Sequence, residues 1–179
     1  RECARRAGVS HAAPKHHFGE VTGFLSAIAG RGFDRLAAAL GNVLQSCGHD
    51  LVEQFYATTH AYVGFAQEWP EHFRVMFRSD LLHPESPQLL TSARATFLEL
   101  TNVVLRQRGD AEFDPSTYSS EAFSATLIDD IVIAWSHVHG YAHLKLEGQL
   151  EMINNDVQEQ VMRTAATRLS ALLSNRGSG

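Results

Sequence analysis

The sequence predicts an all-α protein, and the spacing of its apolar residues is the main reason. From Val21 to Cys47, apolar side chains recur every three or four residues, which is the period of a helix that buries one face. The same spacing returns in the later segments, and none of them alternates apolar and polar residues as a strand would. The 179 residues are 44% hydrophobic with a net charge of -5, which excludes a disordered chain and allows one or two domains.

Glycine, proline and aspartate predict the boundaries of the first helices of the body. Gly48 and Asp50 separate the first long helix from the next, because glycine tolerates a left-handed helix end and aspartate accepts bonds from free amides. Pro70 suits the first turn of a short helix. Gly109 is expected to end the helix that follows.

Two further helices complete the chain, and both are unusually apolar. A long helix that includes the apolar segment 122–146 is expected to close at Gly148, and the final helix follows a cap at Asn154 or Asn155. Because both are apolar on more than one face, they are predicted either to be central in the core or to contact a partner chain. The residues at which the long helix is expected to begin are Ser116, Ser119 or, as an alternative, Ser120.

Composition excludes several classes of protein. No apolar run approaches the ~20 residues that cross a bilayer, so no membrane association is predicted. The two cysteines, Cys3 and Cys47, form no paired framework. This argues against a disulfide scaffold and predicts a reducing, cytoplasmic location.

Positive charge is concentrated at the N-terminus. Residues 1–35 have a net charge of +3, and the rest of the chain has a net charge of -8. This asymmetry suits a polyanion-binding module joined to an acidic body, and a solvated face with no partner is the alternative.

The first twenty residues have the features of two short helices joined by a turn. Gly8 permits the turn, Val9 fills the angle between the helices, and Ser10 is expected to cap the second helix over residues 11–17. Phe18 is expected to anchor that helix on the body. A short helix that presents lysine and histidine can enter a major groove.

The longer string over residues 5–18, Arg-Arg-Ala-Gly-Val-Ser-His-Ala-Ala-Pro-Lys-His-His-Phe, resembles the TetR family of bacterial repressors, although Lys15 stands where that family usually has tyrosine. A second string, Trp-Ser-His-Val-His-Gly over residues 135–140, is similar to the motif of the WHG type of TetR C-terminal domain. The resemblance implies a helix-turn-helix DNA-binding domain over residues 1–40, whose first helix precedes Arg1. It also implies a helical-bundle domain over residues 41–179 that binds ligand and dimerises.

The resemblance further implies a homodimeric transcription repressor that binds a palindromic operator in double-stranded DNA. A small, largely apolar effector in the body would release the operator, provided that it binds the DNA-incompetent state more tightly. The residues expected to contact DNA are Ser10, His11, Ala12, Lys15, His16 and His17.

Aromatic, sulfur-containing and polar side chains of the body are the candidates for the effector site. Ligand pockets are mostly apolar with a few polar anchors, and core packing is the alternative reading for each residue. The candidates are Phe55, Thr59, Tyr62, Phe73, Met76, Phe77, Phe97, Trp135, His139 and His143.

Metal binding, catalysis and a helical module without DNA binding are the competing functions. His139 and His143 have a usable zinc spacing, but the sequence offers no thiolate partner nearby, so no metal or cofactor is predicted. Ser136 and His137 point roughly 100° apart on a helix and lack a nucleophile turn, so no enzyme is predicted. A module that binds only a small molecule or a protein partner leaves the basic N-terminal turn unexplained.

Overall fold

The computed structural model describes residues 2–10, 12–114, 116, 119 and 123–176, and these residues form helices and loops without a strand. The predicted all-α class is therefore confirmed. No helix in these ranges is both long and apolar enough to span a membrane. The helices are α1 (Glu2–Arg6), α2 (Ala13–Phe18), α3 (Val21–Ser46), α4 (Leu51–Glu68), α5 (Pro70–Met76), α6 (Pro87–Arg108), α7 (Ala125–Leu146) and α8 (Asn155–Ser174), with a 3₁₀ turn at Ser79–Leu81.

The body is built around α4, on which α3, α7 and α8 all pack. Helix α6 lies along α3, and α5 packs against both α3 and α4. Two adjoining apolar clusters fill the interior, one around Leu36, Tyr62 and Phe73, the other around Phe55 and Leu173. Burial of these side chains supplies the main favourable term in folding.

The helix boundaries predicted from capping residues are confirmed at α4, α6 and α8. The Asp50 carboxylate accepts the Glu53 N–H at 3.0 Å, and the Asn154 side chain accepts the Val157 N–H at 2.9 Å. Gly109 follows α6 in the left-handed conformation, with φ of 74°. Each residue satisfies backbone groups that the helix end leaves without partners.

The predicted start of α7 is wrong. The helix begins at Ala125, and the Ser124 hydroxyl accepts the Leu127 N–H at 3.2 Å as its N-cap. It does not begin near Ser116 or Ser119, and the alternative, Ser120, lies outside the described residues.

Side-chain bonds explain why the segment before α7 is a loop. The amide of Asn102 on α6 donates to the Phe113 carbonyl at 3.1 Å and accepts the Phe113 N–H at 2.9 Å. The Asp114 carboxylate accepts both the N–H and the hydroxyl of Ser116, at 2.7 and 2.6 Å. These bonds offer the backbone an alternative to a helix.

The N-terminal pair differs from the prediction in its second helix. Helix α2 covers Ala13–Phe18 instead of residues 11–17, and its N-cap position is Ala12. The Ser10 hydroxyl accepts the Ala12 N–H at 3.2 Å, so Ser10 stabilises the turn and does not cap α2. The later start follows from Pro14, because proline lacks an N–H and is best accommodated in the first helical turn.

A buried ion cluster connects α7 with the C-terminal ends of α6 and α8. Asp130 of α7 is fully buried and pairs with Arg108 at the end of α6. Its second oxygen accepts a bond at 2.9 Å from Arg176, just beyond α8. Because a buried carboxylate is costly without partners, loss of either arginine is expected to destabilise the packing of α7.

Candidate functional site

Two adjoining cavities lie inside the helical body, with volumes of about 210 Å³ and about 30 Å³. Tyr62, Leu100 and Trp135 line both, so these side chains stand between them. The larger cavity is also lined by Phe33, Leu36, Phe77, Ala93, Thr96 and Phe97. The smaller one is also lined by Phe55, Thr58, Thr59, Val103, Val104, Ile131, Ala134 and Val138.

Aromatic rings dominate the wall of the larger cavity. The ring centroids of Phe33 and Phe77 are 5.7 Å apart in an edge-on arrangement. Trp135 lies 6.3 Å from Phe77 and 6.5 Å from Phe97. Rings at these separations and angles present both faces and edges, which favours an aromatic guest over an aliphatic one of the same size.

A neutral polar pair lies behind this wall. The Tyr62 hydroxyl and Nδ1 of His139 are 2.8 Å apart. Burial, followed by the neighbouring His143, lowers the pKa of His139 to about 4, so the imidazole is uncharged at neutral pH. Burial raises the pKa of Tyr62, so its hydroxyl stays protonated. With the imidazole proton on Nε2, this hydroxyl donates to Nδ1.

The hydroxyl donors among the cavity residues all have acceptors. Thr58 and Thr59 donate to the carbonyls one turn earlier on α4, at 2.7 and 2.9 Å. Thr96 of α6 donates to the Phe33 carbonyl of α3 at 2.9 Å. These bonds leave the cavity surface almost without free polar groups.

Trp135 is different, because its indole N–H is buried and has no acceptor in the part of the chain that the structure describes. It lies near enough to the Tyr62 oxygen to oppose the burial that raises the pKa of that hydroxyl. The two groups nevertheless do not meet in hydrogen-bond geometry. A buried donor without a partner is unusual in a folded protein and calls for an explanation.

The structure brings together six of the ten residues predicted for the effector site: Phe55, Thr59, Tyr62, Phe77, Phe97 and Trp135 line the cavities. Phe73 and Met76 are buried in the core instead, and the rings of His139 and His143 meet edge to face, 4.6 Å apart, beside Phe73. Sequence reasoning missed Phe33 and Leu36, which α3 contributes, and it missed the α6 residues Thr96 and Leu100.

The N-terminal pair presents several of the residues predicted to contact DNA. Ser10, Ala12, Lys15 and His16 are exposed. His11 lies outside the described residues, as does the side chain of His17. Gly8 has a φ of 67°, which glycine adopts without the strain that other residues incur.

A close backbone contact fixes α2 against α3. A Cβ atom at Gly23 of α3 would lie 2.1 Å from the Phe18 carbonyl oxygen at the end of α2. The Phe18 and Phe24 rings meet edge to face at 5.2 Å, which confirms that Phe18 packs on the long helix, although it stays 40% exposed. The N-terminal pair is therefore held at a defined angle to α3.

The competing chemistries find little support in the geometry. Among the residues that the structure describes, no three histidine, cysteine, aspartate or glutamate side chains come close enough to hold a metal ion. The carboxylate nearest to His139 and His143 in sequence, Glu147, accepts hydrogen bonds from the Arg74 guanidinium. Ser136 is exposed while the neighbouring His137 is half-buried, as expected for adjacent positions on α7.

A helical bundle with an internal cavity lined by aromatic side chains is joined by one long helix to a short N-terminal pair of helices, and this arrangement defines an all-α class of protein. A family model described as tetracyclin repressor-like, C-terminal domain, matches residues 55–169. The chain belongs to this TetR-like family.

One solved structure has a similar fold over nearly the whole chain. It is described as a protein with unknown function from Rhodococcus sp. RHA1, and it is 26% identical with a TM-score of 0.74. The similarity covers 97% of this chain and 84% of the other. No curated protein matches the chain significantly.

Proposed function

We propose that the chain is a ligand-responsive DNA-binding transcription regulator that represses its target as a homodimer. The observation that carries the proposal is the position of α3. This one helix contributes Phe33 and Leu36 to the larger cavity and holds α2 through Gly23. A molecule in the cavity therefore touches the helix that carries the N-terminal pair.

The N-terminal pair supplies the surface for DNA. Lys15 and His16 are exposed on α2, and Ser10 is exposed in the turn before it. In α1, Arg5 and Arg6 share the carboxylate of Glu2, which leaves this helix with a net positive charge. Positive and polar groups on a short helix are suited to phosphates beside a major groove.

The effector regulates the protein by favouring one orientation of α3. It must bind more tightly to the conformation that does not fit the operator, because a ligand with equal affinity for both conformations shifts nothing. Phe33 lies on α3, and Phe77 directly follows α5. If the distance between these two elements differs between the two conformations, a ligand that contacts both rings binds one conformation more tightly. We further propose that the C-terminal domain is of the WHG type, on the basis of the motif at residues 135–140.

The homodimer is proposed to form through α7 and α8. Both helices leave apolar side chains exposed, and the small residues Ser136 and Gly140 on α7 allow close approach of a partner helix. The exposed apolar residues are Ile128, Val132, Ile133 and Leu144 on α7, and Val157, Val161 and Leu172 on α8. Two copies bring two α2 helices to half-sites about 34 Å apart, one turn of the DNA helix.

Fluorescence anisotropy of the purified protein on DNA from upstream of its own gene, at two salt concentrations, tests the proposal. We expect tight, salt-dependent binding that exceeds binding to scrambled DNA. The Lys15→Ala variant should bind more weakly, with the salt slope reduced by about 1 per subunit, because one phosphate contact is lost.

The control for loss of charge alone is Lys145→Ala on α7; because the Lys145 ammonium donates to the Gln158 side chain of α8, a thermal unfolding curve checks that this variant still folds. It should leave the salt slope unchanged. An unchanged slope for Lys15→Ala contradicts the role of that residue. If genome-wide selection also returns no preferred DNA, the chain acts instead as a helical ligand- or partner-binding module.

A further inference from the structure

The chemistry of the cavity walls restricts which molecules they can hold. No residue that lines either cavity has a charged side chain, and the imidazole of His139 behind them is neutral. A charged group would lose its hydration there without gaining a partner of opposite sign. The cavities therefore select against carboxylates, phosphates and ammonium groups.

The walls also offer very few hydrogen bonds. The hydroxyls of Thr58, Thr59 and Thr96 donate to backbone carbonyls, and the hydroxyl of Tyr62 donates to His139. Each hydroxyl has one proton, so none of these groups can donate to a ligand while it keeps its own bond. Extra acceptor groups on a ligand should therefore weaken binding, because they lose water without gaining a donor.

The indole N–H of Trp135 is the exception, since it is buried without an acceptor among the described residues. Its ring lines both cavities and is surrounded by Phe77 and Phe97. Folding has already taken this N–H out of water. A ligand acceptor therefore gives it a hydrogen bond that it otherwise lacks. An acceptor oxygen on the ligand therefore contributes more to the binding free energy here than in a cavity whose donors are all paired.

We propose that the effector is an uncharged, flat aromatic molecule with a single hydrogen-bond acceptor, such as a carbonyl or ether oxygen, that accepts the indole N–H of Trp135. This inference rests on the proposed function, whose effector site it specifies. The cavity of about 210 Å³ is larger than the ~150 Å³ cavity that holds benzene in an engineered protein, so a two-ring molecule is a suitable size.

Equilibrium dialysis of the purified protein against three two-ring probes tests the proposal. The probes are 2-acetylnaphthalene, which has one acceptor, 2-ethylnaphthalene, which has none, and 2-naphthoate, which is charged. We expect the ketone to bind roughly three- to tenfold more tightly than the hydrocarbon, as one added hydrogen bond gives, and the carboxylate to bind most weakly.

The Trp135→Phe variant keeps an aromatic ring but removes the N–H. We expect it to bind the ketone and the hydrocarbon equally, while a thermal unfolding curve reports whether it folds. The matched control is Trp69→Phe, because Trp69 stacks beneath Arg35 and lines neither cavity. This control should keep the preference for the ketone.

The possible results separate this inference from the proposed function. Equal binding of ketone and hydrocarbon to the unchanged protein overturns the inference, and so does a preference that survives in Trp135→Phe. Release of operator DNA by either compound still supports the proposed function in those cases. If none of the three probes binds, both the inference and the effector site are wrong.

Discussion

His139 is the residue whose protonation most directly links the candidate site to stability. It accepts the Tyr62 hydroxyl at 2.8 Å, and its pKa of about 4 is well below the value of 6.5 for an exposed histidine. Between these values the unfolded chain binds a proton that the folded chain does not. The contribution of His139 to the free energy of unfolding is therefore fully present above pH 6.5 and is lost as the pH decreases toward 4.

We expect the free energy of unfolding to decrease from pH 7 to pH 5, with His139 accounting for on the order of 1 kcal/mol of the loss. Urea unfolding at several pH values measures it. The His139→Asn variant retains an acceptor for Tyr62 but does not titrate, so it should lose less stability over the same interval. His72 and His137, whose pKa values burial also lowers, contribute equally to both proteins. Parallel pH profiles would exclude His139 as the cause.

The residues of the site could be predicted only in part, and the reason is geometric. Helical spacing identifies which side chains face inward, and it placed Tyr62, Phe97 and Trp135 there. The spacing of apolar residues does not distinguish a side chain that is closely packed in the core from one that lines a cavity. Phe33 was missed for this reason, since its interval in α3 is that of an ordinary core residue. The unpaired indole N–H of Trp135 depends on distances between helices that no local pattern contains.

At the scale of elements, the joint between α2 and α3 is the contact through which the body would act on the N-terminal pair in the proposed function. The atom nearest to a Cβ built at Gly23 is a backbone oxygen, which cannot rotate away as the end of a side chain can. Any larger residue must therefore displace α2. The elements themselves were mostly predictable, because local signals follow α3, α4 and α6: Gly48, Pro70 and Gly109. The start of α7 was not, because long-range bonds from Asn102 hold the preceding loop.

We expect Gly23→Ala to reduce operator affinity by at least roughly tenfold. A displacement of α2 that costs about 1.4 kcal/mol of binding free energy is sufficient for that change. Anisotropy on the operator measures it. The matched control is Gly41→Ala on the same helix, where a Cβ would meet no atom within 4 Å. That control should leave DNA affinity unchanged and raise helix stability by up to about 1 kcal/mol. Equal affinities of the two variants would show that α2 tolerates the displacement.

At the scale of the whole molecule, the exposed apolar residues on α7 and α8 are the surface through which two copies are proposed to associate. Val132 is 51% exposed and Val161 is 44% exposed, and each lies on the outward face of its helix. Such residues can be explained singly, but their recurrence on both helices supports the proposed interface. A two-fold arrangement would place each row against its counterpart and form a four-helix contact.

We expect the unchanged protein to have twice the mass of its 19.8 kDa chain in size-exclusion chromatography with light scattering. Val161→Lys should shift it toward the monomer, because a lysine at a two-fold interface buries two like charges near each other. The matched control is Val21→Lys, since Val21 is 72% exposed at the start of α3 and lies on neither α7 nor α8. A dimer that survives Val161→Lys but not Val21→Lys would move the interface to the N-terminal half. If Val161→Lys yields folded monomers, the same sample should also bind operator DNA more weakly, because its two half-sites are then no longer occupied by one assembly.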